Sequence, residues 1–139
     1  MIDYNKILAE NPNGVMATRD GEMIKTRVFQ YLFSDGNKAY FCTSSQKPVA
    51  AQMKEHPYVS FCTNLQNYSP VLSINGKVTF IDDEALKIKA LNENPSIRQI
   101  YGSEKNTVFT LRVCGVVFSS VYPCDISETA MKLAVDWRC

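Results

Sequence analysis

The chain has 139 residues, 45% of them hydrophobic and 21% charged, which suits one compact domain with ample apolar material and excludes wholesale disorder. Its 15 basic and 14 acidic residues leave a formal charge of +1 spread along the sequence, so nothing general draws it to nucleic acid or an anionic membrane. Met1-Ile2-Asp3-Tyr4-Asn5-Lys6 lacks a positive leader followed by an apolar segment, and no stretch nears the roughly 18 apolar residues of a membrane span, so a soluble cytoplasmic protein is expected.

Asp3 to Glu10 reads as a short amphipathic helix with Ile7 and Leu8 inward, stopped by Asn11-Pro12-Asn13-Gly14. A strand over Gly14 to Thr18 leads to an Asp20-Gly21 turn and a long strand from Met23 to Phe33. A second Asp-Gly, at 35 and 36, brings in a strand from Lys38 to Thr43. In the long strand, alternation puts Ile24, Thr26, Val28, Gln30 and Leu32 on one face and Lys25, Arg27, Phe29, Tyr31 and Phe33 on the other. Both faces carry large apolar groups, which predicts a barrel interior on one side and a ligand or subunit on the other, with the cations on the outer surface.

Pro48 fits the first position of a helix, because its missing N–H costs nothing there, and this places Lys47 at the helix entrance. Val49, Ala50 and Met53 give that helix an apolar side, and His56-Pro57 ends it before a strand from Tyr58 to Thr63. Val71 to Ile81 alternates around Gly76, where a bulge or close backbone approach is expected. Asp82-Asp83-Glu84 starts a helix whose buried side is marked by Ala85, Ile88 and Leu91 and which Asn94-Pro95 closes. Asn106 to Ser120 reads as the last long strand, and Glu128 to Trp137 as a short helix. Six strands in mostly meander order with inserted helices predict a mainly β fold, a small closed or split antiparallel β-barrel, since two Asp-Gly hairpins argue against βαβ order.

The cysteines at 42, 62, 114, 124 and 139 form no Cys-x-x-Cys pair, and Cys42, Cys62 and Cys114 read as buried reduced thiols in strands. With His56 the only histidine, neither a zinc set nor a Cys-His catalytic pair is assembled.

The stretch from Lys25 to Lys47 holds the richest chemistry. A phosphate monoester is well served by an arginine fork, a lysine point charge, hydroxyls and helix-start N–H groups, and Arg27, Lys47, Thr43, Ser44 and Ser45 supply that set beside aromatic residues. The residue types alone leave two readings open. The same cations serve as solvated strand groups, and Phe29, Tyr31 and Phe41 serve as core or dimer-contact aromatics.

The order Arg27-Val28-Phe29-Gln30, then Tyr40-Phe41-Cys42-Thr43, then Gln46-Lys47 and a helix resembles the flavin-binding stretch of the pyridoxamine 5′-phosphate oxidase-like split-barrel family. The similarity runs from about Asn13 to Phe118, through His56-Pro57-Tyr58-Val59-Ser60-Phe61 and Ile74-Asn75-Gly76-Lys77-Val78. It implies a six-stranded antiparallel split barrel that forms a homodimer with FMN in clefts between subunits. Carried over by position, Arg27 and Lys47 hold the phosphate, Thr43, Ser44 and Ser45 supplement them, and Gln46 stands where an arginine is frequent. Val28, Phe29, Gln30 and Cys42 line the ring, and Lys25 is a further candidate. The resemblance implies an oxidoreductase or flavin reductase with a small-molecule substrate or electron donor. Relatives that oxidise pyridoxamine phosphate are expected to carry a late arginine and histidine, and no histidine follows His56. A non-catalytic flavin-binding or redox-sensing module is the alternative. A barrel for another ligand, such as a deazaflavin or nucleic acid, is the third reading, with no basic aromatic stripe to favour nucleic acid.

Overall fold

The computed structural model describes residues 3–63, 71–102 and 110–124. The chain opens with α1 (Tyr4–Glu10), capped by the Asp3 carboxylate, which accepts from the Lys6 backbone N–H; Leu8 is fully buried and Ile7 packs beside it. β1 (Asn13–Asp20) and β2 (Met23–Gln30) form a hairpin with Asp20 opposite Met23, and β3 (Phe33–Asp35) and β4 (Lys38–Ser44) form another with Asp35 opposite Lys38. Gly21 and Gly36 sit in these turns at φ 60° and 59°, a region that glycine enters without steric cost.

Then follow α2 (Pro48–Glu55), β5 (Tyr58–Thr63), β6 (Val71–Ile81), α3 (Glu84–Glu93), α4 (Pro95–Tyr101) and β7 (Leu111–Cys124). All strand pairings are antiparallel, in the order β2-β1-β5-β6-β7-β4-β3. Phe41, Phe61, Met16, Leu72 and Ile74 fill the interior, with the rings of Phe41 and Phe61 edge to face at 4.8 Å. Gly76 sits at an irregularity in the β6–β7 ladder, where a Cβ would lie 2.3 Å from the Val117 carbonyl oxygen, so the expected close backbone approach is present.

Among the described residues the sheet has seven strands rather than the six expected, because the Met23 to Phe33 run breaks after Gln30. At the break the backbone changes partners. Tyr31 N–H donates to Pro12 O, and Leu32 N–H donates to Tyr40 O, carrying the chain from the β1 side of the sheet to the β4 side. The two faces of β2 are also reversed relative to expectation. Arg27 shares the face of Phe29, which is buried against the core, while Ile24 and Val28 are each 74% exposed.

Asp83 caps α3 as the acidic run implies, but its buried residues are Lys87, Ala90 and Leu91, whereas Ala85 and Ile88 are exposed. Pro95 closes α3 by starting α4, a helix not anticipated from the sequence. Cys42 and Cys114 are buried, but Cys62 points outward from β5. β7 runs past Ser120 to Cys124; residues 106–109 and the proposed 128–137 helix lie outside the described residues. Among the described residues no helix is long and apolar enough to cross a membrane.

Candidate functional site

β2 ends the strand order on one side and β3 on the other, so the sheet curls until β2 faces β4 across a seam without a ladder between them. Aromatic packing bridges that seam instead: Phe41 of β4 meets Phe29 at 6.2 Å and Tyr31 at 6.4 Å, both edge to face. Beside it opens a cleft of about 200 Å³. From β2 come Arg27, Val28, Phe29 and Gln30, from β4 Cys42 and Thr43, and from the α2 entrance Lys47 and Val49.

Pro48 at the head of α2 leaves Lys47 as the N-cap in an extended conformation, and no side chain among the described residues caps the helix. Pro48 carries no N–H and the Ala50 N–H donates to Lys47 O at 3.1 Å, so the start of α2 offers the Val49 N–H and the positive end of the helix dipole beside the Lys47 ammonium, a combination that favours an anion. Arg27 reaches toward the same helix, its Nη2 donating to Gln52 Oε1 at 3.1 Å. Both cations thus arrive at one cleft from different elements, each tethered by a neutral oxygen. Lys47 Nζ donates to Tyr101 Oη at 3.2 Å.

Thr43 is almost completely buried in β4, opposite Arg112 of β7. Ser44 is buried, and its hydroxyl accepts from the Gln46 N–H while its carbonyl accepts from the Lys47 N–H; it builds the turn that presents Lys47. Ser45 donates its N–H to Thr110 O and lines a separate cavity with Lys54, Phe80 and Arg112. Lys25 pairs with Asp20 at 2.7 Å at the far end of the hairpin. Ser44, Ser45, Gln46 and Lys25 are thus not among the residues lining the cleft. Burial pushes the Cys42 thiol up to about 12, offset only in part by the Lys47 charge, so it lines the cleft as a neutral group.

The remaining lining comes from Asn13 and from Ile97, Ile100 and Tyr101 of α4. Sequence reasoning missed this wall. The signal was present: Pro95 repeats the proline start used for α2, and Ile97, Ile100 and Tyr101 follow at helical spacing. Among the described residues no cluster of histidine, cysteine or carboxylate side chains could hold a metal.

A seven-stranded antiparallel sheet, split at one seam and with a cationic cleft at the split, defines a split barrel. The sequence profile of the pyridoxamine 5′-phosphate oxidase family matches residues 3–118, and the chain belongs to that family. Solved structures share the fold. A NimC/NimA family protein from Clostridium acetobutylicum superposes with a TM-score of 0.75 at 21% identity, covering 88% of this chain and 83% of that one. An FAD-binding protein from Mesorhizobium loti gives 0.68 at 14% identity over 84% and 87% of the two chains. A pyridoxamine 5′-phosphate oxidase-related, FMN-binding protein from Nostoc punctiforme gives 0.59 at 14% identity over 88% and 78%. A comparison with curated proteins finds no match.

Proposed function

We propose that the chain is an FMN-binding flavoprotein, acting as an oxidoreductase or flavin reductase on a small substrate, and that it works as a homodimer. The observation that carries this reading is the convergence of Arg27, Lys47 and the uncapped start of α2 on one cleft at the seam. A guanidinium fork, a point charge and the Val49 N–H at the helix start match the several strong acceptors of a phosphate monoester. Next to them β2 is a sheet edge. Its outer side has no strand partner among the described residues, so the backbone of Val28, Phe29 and Gln30 can meet the polar edge of a flat ring. The donor set therefore fits FMN. Family membership and the flavin-binding proteins that share the fold support the same assignment.

Bound FMN supplies hydride and electron transfer at its ring. The ionisable side chains lining the cleft are Arg27, Lys47, Tyr101 and Cys42, with no carboxylate or histidine among the described ones. The chain's own contribution is thus binding and orientation, with Arg27 and Lys47 fixing the phosphate and Cys42 kept protonated beside the ring.

The single-chain cleft, about 200 Å³, is smaller than the roughly 300 to 1,000 Å³ of enclosed small-molecule pockets. A second copy supplies the missing wall. Ile24 and Val28 on β2, Val15 on β1 and Tyr58 on β5 are exposed apolar groups on the adjoining outer surface, suited to a matching copy.

The decisive measurement is the visible spectrum of purified protein with mass identification of any released chromophore, followed by FMN titration. A colourless protein that fails to bind added FMN would sink the reading. Lys47→Ala is expected to weaken FMN roughly 10- to 100-fold and riboflavin by less than about threefold, since only FMN has the phosphate. Equal losses would contradict the role given to Lys47. Multiple turnover with NADH or NADPH supports the enzyme; stoichiometric reduction alone supports a flavin-binding or redox-sensing module.

A further inference from the structure

Helix α4 touches the cleft at both of its ends. Near its start the Ser96 hydroxyl donates to Gln30 Oε1 at 2.5 Å, and at its last residue Tyr101 Oη accepts from Lys47 Nζ at 3.2 Å. The Lys47 ammonium also lies 4.9 Å from the centre of the Tyr101 ring, within cation–π range. The helix itself is held from behind. Ile97 is buried against Leu91 and Leu111, Arg98 donates to Leu91 O and to Asn92 Oδ1, and the Asn94 amide donates to Ala90 O.

We infer that Tyr101 is a positioning residue for Lys47, and that α4 sets how strongly this site prefers a phosphorylated ligand over its unphosphorylated form. The inference rests on the FMN reading and extends it to a residue outside the Lys25 to Lys47 stretch. A lysine ammonium rides on a flexible four-carbon stem, and fixing that stem is among the largest side-chain entropy losses. An ammonium already held against a phenol and its ring avoids most of this loss when an anion arrives. Because Ser96 anchors the other end of α4 to β2, Tyr101 cannot simply follow Lys47 into the cleft, so the lysine is held at a set place relative to Gln30.

Tyr101→Phe tests this, because it removes the hydrogen bond and keeps the ring. Two readouts are taken on the full chain: the order of the Lys47 ammonium by nitrogen-15 NMR without ligand, and the affinities for FMN and riboflavin. The expected result is a loosened Lys47 signal, FMN binding about five- to tenfold weaker, riboflavin changed less than about twofold, and no further loss from Tyr101→Phe in a Lys47→Ala background. Unchanged Lys47 order and FMN preference, equal losses for both ligands, or a full loss in the Lys47→Ala background each overturn the inference. If wild type binds no FMN yet Lys47 is ordered only when Tyr101 is present, with inorganic phosphate bound more weakly by Tyr101→Phe, the cofactor reading falls and the positioning role stands. Tyr101→Met, which fills similar space with neither ring nor hydroxyl, is the second variant should phenylalanine fail to fold, and loses at least as much FMN preference.

Discussion

Arg27 of β2 and Gln52 of α2 are joined by a 3.1 Å hydrogen bond, so the cation on the sheet edge is oriented by the helix whose entrance carries Lys47. Gln52→Ala leaves the Arg27 fork without that neutral acceptor. FMN affinity is expected to fall about three- to tenfold while overall stability changes by less than about 1 kcal/mol. Arg27→Lys, which keeps the charge but loses the planar fork, is expected to cost more than Gln52→Ala. Flavin fluorescence titration with a urea melt on each variant separates the two effects. A Gln52→Ala protein with wild-type FMN affinity would remove Gln52 from the site.

Gly76 is required for contact rather than for turn geometry. A Cβ there would meet the Val117 carbonyl oxygen at 2.3 Å and a Val116 methyl at 2.7 Å, in the middle of the longest strand pairing. Backbone atoms cannot yield as a side-chain tip can, so Gly76→Ala is expected to destabilise by about 2 to 4 kcal/mol or to prevent folding. Chemical denaturation measures this, and a loss under about 0.5 kcal/mol would show that the β6–β7 irregularity relaxes freely.

Thr18 carries the opposite expectation. Its side chain is 2% exposed, and its hydroxyl oxygen has no hydrogen-bond partner among the described residues. A valine has nearly the same shape and no polar group to satisfy, so Thr18→Val is expected to raise stability by about 0.5 to 1 kcal/mol. A lower melting temperature in the variant would mean that the hydroxyl is satisfied in solution, for instance by water.

Much of this fold is written in local signals. The Asp-Gly pairs specify two hairpins, Pro48 and Asp83 start helices where they should, and Tyr58 to Thr63 and Val71 to Ile81 are strands over those same residues. The errors arose where tertiary structure decides. Alternation gives the two faces of β2 but not which faces inward, because Phe29 and Tyr31 compete with Ile24 and Val28 for burial and only the fold resolves it. The break after Gln30 depends on hydrogen bonds to Pro12 and Tyr40, neither of which adjoins it in sequence. In the site, Arg27 and Lys47 were legible from residue chemistry and order. The outward turn of Ser45 and the wall supplied by α4 depend on packing against β7 and α3, which no short window of sequence contains.

The thiols give a pH-dependent prediction. Burial raises Cys42 from an ordinary 9.0 to about 12, and burial with the neighbouring Cys42 raises Cys114 further. The folded state therefore keeps these protons at pH values where the unfolded chain has lost them. The stability they contribute is present below about pH 9 and is lost as pH rises toward 12, so alkaline unfolding is expected to shift upward in a Cys42→Ala/Cys114→Ala protein relative to its own neutral stability. Native labelling at pH 8 should leave buried Cys42 and Cys114 unmodified until the chain unfolds, read site by site from peptide masses. Early labelling of Cys42 would show that the cleft opens to the thiol.

The proposed dimer makes the outer face of β2 the most informative surface to change. Ile24 is 74% exposed and lies opposite Arg19 in the β1–β2 ladder, away from the cleft lining but on the same face as Val28 and Val15. Ile24→Glu puts a carboxylate, with Arg19 opposite it in the ladder, into the face that is expected to meet its copy, where burying the charged pair costs a desolvation that the apolar side chain does not. Sedimentation should show a dimeric wild type and a variant that dissociates at least about tenfold more readily. Because the second copy supplies a wall for the ring, FMN and riboflavin should weaken together in Ile24→Glu, in contrast to the phosphate-selective loss in Lys47→Ala. A wild type that is monomeric yet binds FMN tightly would refute the shared site, and it would require the missing wall to come from this chain's own residues.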